Sequence, residues 1–303
     1  MAFSAADVKN LREMTGVGMM DCKKALVAAD GDMDKAVEWL REKGLAAAQK
    51  KAGRIAAEGV AYAAVIDGIG VIVEVNAESD FVAKNELFNE YVQGVAAVVA
   101  KENPADLDAL YAAPFGNGKS VLDEQNDKVL VIGENIKVRR FARYETGLSV
   151  PYVHMGGRIA VLVNLETASD APAVVELGKD VAMQIAALNP TFKDKSDVDD
   201  EFVAKEKEIR LAQAKEDPKN AKKPENILVK IVEGGLNKYF KEICLMQQPF
   251  VKDDKVSVEQ HIAAVAKEVG AEIKLVGYTR FEKGEGIEKR QDDLAEEVAK
   301  LVK

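Results

Sequence analysis

Apolar residues recur every three or four positions through the first 53 residues, at Val8, Leu11, Met14, Cys22, Ala25, Leu26, Ala36, Trp39 and Leu40. That spacing keeps one side of a helix apolar, and breaks at Thr15-Gly16-Val17-Gly18 and Asp30-Gly31-Asp32 divide it into three short helices. Asp21 and Asp32 stand where side chains cap helix N-termini, and Gly44 is expected to close the third helix with a positive φ. Residues 45–54, rich in alanine and carrying Lys50, Lys51 and Arg54, read as a helical or flexible connector.

Beyond residue 54 the period changes to two and a repeat appears. Gly70-Val71-Ile72-Val73-Glu74-Val75-Asn76 lies over Arg158-Ile159-Ala160-Val161-Leu162-Val163-Asn164. Each copy predicts a β-hairpin, with strands 60–66 and 70–75 about Asp67-Gly68, and 149–154 and 159–165 about Gly156-Gly157. A Ser-Asp pair then opens a helix in each copy. Ser79-Asp80 precedes 81–100 and Ser169-Asp170 precedes 174–188, with stops at Asn103-Pro104 and Asn189-Pro190. A helix over about 121–131 and a strand over about 135–144 lie between the copies, so two related α+β subdomains are the economical reading.

From 192 to 247 the pattern is near-heptad, through Val198, Phe202, Ile209 and Ala212, then Ile227, Ile231, Tyr239 and Ile243, with Pro218 and Pro224 flanking a basic loop. This predicts an antiparallel helical hairpin inserted into the second subdomain. A helix over 258–269, a strand over 272–281 and a terminal helix with Leu294, Val298 and Leu301 on one face complete the chain.

Composition narrows the function classes. With 48% hydrophobic and 31% charged residues the 303-residue chain is globular, and its formal charge of −9 disfavours a phosphate backbone as ligand. A membrane span needs about 20 apolar residues, against an uncharged apolar run of only 60–66, and no secretory pattern opens the chain. Two cysteines, Cys22 and Cys244, offer neither a disulfide framework nor a metal knuckle, so a reducing, cytoplasmic compartment is expected, with no metal or cofactor.

Gly116-Asn117-Gly118-Lys119-Ser120 imitates the end of a phosphate-binding loop. However, Ala113 stands where the first glycine belongs, and no Walker-B strand follows. His154 and His261 have no neighbouring nucleophile in sequence, and His154 reads equally as a strand-end residue bonded to its turn or as a contact. Asp80-Phe81 likewise keeps two readings. Either Asp80 caps its helix and Phe81 plugs the first turn into the core, or the turn presents both to a partner's pocket.

The segment Met14-Thr15-Gly16-Val17-Gly18-Met19-Met20-Asp21-Cys22-Lys23-Lys24-Ala25-Leu26 and the segment Ser79-Asp80-Phe81-Val82-Ala83-Lys84-Asn85 resemble bacterial elongation factor Ts. So do Ile132-Gly133-Glu134-Asn135, His154-Met155-Gly156-Gly157-Arg158-Ile159, Gln248-Pro249-Phe250-Val251 and Arg280-Phe281-Glu282-Lys283-Gly284-Glu285-Gly286, in order along essentially the whole chain. Ser79 stands where the family more often has Thr, which keeps a hydroxyl.

The resemblance implies no enzyme but a guanine nucleotide exchange factor for the GTPase elongation factor Tu. It implies a ubiquitin-associated-like helical module over 1–53 that touches the GTPase through Met19 and Met20. The first core half, 54–146, is expected to deliver Asp80 and Phe81 near the nucleotide and Mg²⁺ site. The second half, 147–191 with 248–283, grips another domain through His154, while Ile132, Gly133 and Val251 support. A C-terminal helical module over 284–303 is a further clamp, and the hairpin 192–247 implies a homodimer or a two-to-two complex. The rival reading is a non-catalytic adaptor built on the helical module, which leaves the duplicated core without a purpose.

Overall fold

The Ser4 hydroxyl accepts the Asp7 N–H while the Asp7 carboxylate accepts the Ser4 N–H, a reciprocal cap that starts α1 (Ala5–Thr15). In this computed structural model residues 3–116, 118–220 and 223–288 are described. α1 ends on Gly16 at φ +69°, where a left-handed residue favours glycine. α2 (Met19–Ala28) starts behind Gly18, so Asp21 is not its cap. Asp21 sits inside the first turn, ion-paired to Lys43 and Lys24, and the hydrogen bond from Lys43 holds its carboxyl below the ordinary range. Asp32 caps α3 (Met33–Lys51) as predicted, accepting the Lys35 N–H at 3.1 Å. Val8, Leu11, Cys22, Ala25, Leu26, Ala36 and Leu40 form the core of these three helices, whereas Met14, predicted inward, is exposed and Val17 is buried.

β1 (Glu58–Ile66) and β2 (Ile69–Ala77) pair antiparallel with Tyr62 opposite Val73, about Asp67 and Gly68 at φ +50° and +82°. Two successive positive φ values twist a two-residue turn the way the strands twist. The predicted single helix after Ser79 is two: α4 (Asp80–Ala83), then α5 (Glu86–Glu102), restarted where the Asn85 side chain accepts the Phe88 N–H. α5 packs Phe88, Tyr91, Val92, Val95 and Val99 into the core with β1 and β2. After α6 (Leu107–Ala112) and the short strands β3 (Pro114–Gly116) and β4 (Lys119–Ser120), α7 (Val121–Ile132) leads to β5 (Lys137–Tyr144), which completes a sheet ordered β1-β2-β5.

Gly44 is inside α3, not at its end, and is buried against α7. A Cβ there would lie 3.3 Å from the Asn126 carbonyl oxygen, so glycine serves close helix approach rather than a positive φ.

The matched strands differ in charge at one core position. Leu162 is fully buried in the second copy, and Glu74 is fully buried in the first. The Glu74 carboxylate accepts from Arg139 (3.1 Å), Arg140 (2.5 Å), Asn76 Nδ2 (3.1 Å) and the Gly284 N–H (2.8 Å), which satisfies the charge and ties β2 and β5 to residues 282–286.

The second sheet, ordered β10-β7-β6, is built from β6 (Leu148–His154), β7 (Ile159–Thr167) and β10 (Ile273–Glu282). α8 (Pro172–Leu188) follows, packing Gly178 against Val150. Both helices that were expected to stop at Asn-Pro do so, with Asn103 and Asn189 left-handed. α9 (Asp200–Glu216) and α10 (Glu225–Ile243) make the helical hairpin, closed where the Thr191 and Phe192 N–H groups donate to the Ile243 carbonyl. Its inner face departs from the predicted one. α10 buries Leu228, Val232 and Leu236, one position on from the expected Ile227 and Ile231, which are exposed along with Ile209 and Ala212.

Phe202 also stacks on Tyr239, which Arg210 covers, and meets Phe192 edge to face. β8 (Pro249–Phe250), β9 (Asp253–Ser257), α11 (Val258–Val269) and β10 (Ile273–Glu282) follow. The described residues form two units, 3–143 with 153–160 and 281–288, and 144–152 with 161–280. Helices and sheets are both prominent and the class is α+β. The predicted terminal helix with Leu294, Val298 and Leu301 lies outside the described residues. Among the described residues no helix is long and apolar enough to cross a membrane.

Candidate functional site

The four residues of α4 separate the two readings of Asp80-Phe81. Phe81 is 80% exposed, while Val82, the next residue, is 6% exposed and enters the core. The plug of this turn is therefore Val82, and Phe81 stands free in solvent. Ser79 is the N-cap and Asp80 the first helical residue, its carboxylate 4.0 Å from Lys84 Nζ, so Asp80 does not cap the helix. A large exposed ring beside an exposed carboxylate, on a turn anchored from below, is not a core element, which leaves the presenting reading of this turn.

Ser79 does not use its hydroxyl to cap α4. The hydroxyl donates to Glu134 Oε1 at 2.6 Å and the Ser79 N–H donates to Glu134 Oε2 at 2.9 Å. In return Glu78 Oε1 accepts the Asn135 N–H at 2.6 Å, and Asn135 Nδ2 donates to the Arg54 carbonyl at 2.8 Å. Glu134 follows Ile132 and Gly133, and Gly133 ends α7 at φ +87°. Four of the predicted residues, Asp80, Phe81, Ile132 and Gly133, are thus brought together by two crossed carboxylates. Glu134 lies within the Ile132-Gly133-Glu134-Asn135 motif and Glu78 directly precedes Ser79-Asp80-Phe81, but nothing local in the sequence shows that each carboxylate accepts donors from a segment 55 or more residues away.

Met19 and Met20 open α2 and are 45% and 64% exposed, as predicted. A groove of about 380 Å³ runs beside Met14, Val17, Leu40, Leu87, Lys128 and Val131. His154 ends β6 and its carbonyl accepts the Gly157 and Arg158 N–H groups across a turn in which Met155, Gly156 and Gly157 all have positive φ. The Gly157 carbonyl in turn accepts the Ala61 N–H of β1.

Val251, 44% exposed, tops the β8 and β9 hairpin in the second unit. That hairpin is held by Gln184, fully buried in α8, whose Nε2 donates to Gln248 Oε1 and the Pro249 carbonyl and whose Oε1 accepts the Val251 N–H at 2.8 Å. Gln184 is a residue the sequence reading missed, although a polar side chain on an otherwise apolar helix stripe is a signal that could have found it.

The loop that imitates a phosphate site is occupied with its own side chains. Lys119 Nζ lies 2.7 Å from Asp127 and 3.5 Å from Glu124; burial pulls its pKa down, but these carboxylates more than offset it. Ser120 is the reciprocal cap of α7 with Asp123. His261 stacks on Phe250 at 4.2 Å and meets Asp180 at 3.1 Å, a packing role. Burial raises both thiols, Cys244 to about 11, which makes them inert rather than nucleophilic.

The family model described as Elongation factor TS matches residues 78–285. Among curated relatives, Elongation factor Ts of Syntrophotalea carbinolica is 49% identical, with 100% of both chains covered. Elongation factor Ts of Magnetococcus marinus is 46% identical, with 100% of this chain and 99% of the relative covered. Elongation factor Ts of Clostridioides difficile is 48% identical, with 99% of each covered.

Proposed function

The chain belongs to the elongation factor Ts family of translation elongation factors, and from that premise we propose that it accelerates GDP release from the GTPase elongation factor Tu by inserting Phe81, with Asp80 beside it, near the nucleotide and Mg²⁺ site. It does this without covalent chemistry. The observation that carries the reading is the 80% exposure of Phe81 on a turn whose core anchor is the neighbouring Val82.

A factor that lowers its partner's affinity for GDP must itself be bound less tightly in the presence of GDP, by the same factor. A wedge meets that requirement because it must displace packed side chains, and packed interiors admit discrete rearrangements rather than gradual ones. Met19, Met20, Ile132, Gly133, His154 and Val251 then hold the partner while the wedge acts. Burying the exposed four-fifths of a Phe side chain is worth about 2 kcal/mol, or roughly 30-fold in an equilibrium.

The test is release of a fluorescent GDP analogue from purified elongation factor Tu, with and without this chain. Wild type should accelerate release. Phe81→Ala should slow the accelerated release by about tenfold or more while its fold is unchanged, because only a fifth of the ring is covered. A chain that binds the GTPase and leaves the release rate untouched would be an adaptor.

A further inference from the structure

α4 has only four residues, and an isolated helical turn is unfavourable because several dihedral angles are fixed for one hydrogen bond. Its N-cap side chain does not bond to it. An exposed phenyl ring on such a turn would gain by folding back onto the surface. Val82 anchors the far side of the turn in the core, and at its start the carboxylate of Glu134 takes both donors of Ser79, at 2.6 and 2.9 Å, and fixes the residue from which α4 springs.

We propose that Glu134 is the positioning residue of the exchange reaction: its bidentate hold on Ser79 sets the Asp80-Phe81 turn in its inserting geometry and joins that turn to Ile132 and Gly133, so that wedge and supporting contacts move as one piece. The assignment rests on the proposed exchange function. Glu78, which accepts the Asn135 N–H at 2.6 Å and pairs with Arg54 at 3.4 Å, braces the same two loops from the other side. Glu134 touches no nucleotide; it acts through Phe81.

The experiment measures stimulated release of the fluorescent GDP analogue over a range of factor concentrations, separating the maximal rate from the half-saturating concentration. Glu134→Ala should lower the maximal rate about tenfold, equivalent to about 1.4 kcal/mol and within the range of a hydrogen bond to a charged group. The half-saturating concentration should change less than twofold, because the holding surface is intact. Glu134→Gln, which keeps an acceptor for one of the two donors, should recover to within about threefold of wild type.

The decisive comparison is in the Phe81→Ala background, where adding Glu134→Ala should change the maximal rate less than twofold; loss of general stability would instead add to the first effect. If Glu134→Ala does not fold, Ser79→Ala carries the test, with an expected loss of about threefold. Wild-type maximal rates in the Glu134 and Ser79 variants, alongside a slowed Phe81→Ala, overturn the assignment and leave the function standing. A wild-type chain that does not accelerate release overturns both.

Discussion

Glu74 has no solvent exposure, and the four donors that converge on its carboxylate come from three places in the chain: Asn76 two residues on, Arg139 and Arg140 on β5, and the main chain at Gly284. Glu74→Ala removes one side of a buried ion pair, which costs about 3–5 kcal/mol. The components are consistent with the lower part of that range. An orphaned Gly284 N–H accounts for about 1–3 kcal/mol, and the two guanidinium groups, each just under a third exposed, recover some hydration.

Glu74→Leu places in the first copy the residue that the second carries as Leu162. It refills the volume, so about 1–3 kcal/mol for the orphaned N–H should remain. Both variants should loosen residues 282–286, which the carboxylate pins through Gly284 and through Arg140, whose Nη2 meets the Glu285 carboxylate at 3.0 Å. Urea unfolding followed by circular dichroism reads the stability, and native-state trypsin cleavage after Lys283 reads the loosening, expected to be about tenfold faster or more. A loss below 1 kcal/mol in Glu74→Ala, or a leucine variant as unstable as the alanine one, would refute the account of a charge retained to hold that segment.

Two further outcomes are expected. Burial raises Tyr111 and Tyr278 to about 12, and both hydroxyls donate to backbone carbonyls, Tyr111 to Val138 and Tyr278 to Pro190. A raised folded pKa means the native state keeps the proton longer. Stability from these groups is therefore complete below the unfolded value near 10 and is lost as pH rises toward 12; absorbance at 295 nm should show them ionising together with loss of helical signal, and ionisation of all 7 tyrosines near pH 10 in a folded chain would contradict the burial argument. Excising residues 199–241 with a short glycine linker should leave the second unit a cooperative transition in calorimetry, since Phe192 still meets Ile243 and Leu245 at the base of the hairpin; an aggregated product would show that the hairpin shares its core.

The chain's local patterns determined the α+β class, the three N-terminal helices, the duplicated hairpins and the Asn-Pro helix stops, because period and turn chemistry act between residues a few positions apart. Adjacent motifs likewise singled out Met20, Phe81 and Val251, each of which is exposed. Tertiary structure alone decided which neighbour points inward. Phe81 and Val82 are both apolar on a one-turn helix, too short for a period to choose between them, and the core chose the smaller residue for its pocket.

The same holds on α10, where the apolar run around Ile227 and Leu228 offers two faces and α9 selects one. Gly44 looks like a helix end from its neighbours, yet it is a point of close approach to a helix about 80 residues away. The crossed carboxylates of Glu78 and Glu134 and the burial of Glu74 depend on donors that only chain folding brings within 3 Å. Such partners leave no local trace, because a charge is tolerated inside only when its compensating groups arrive from elsewhere.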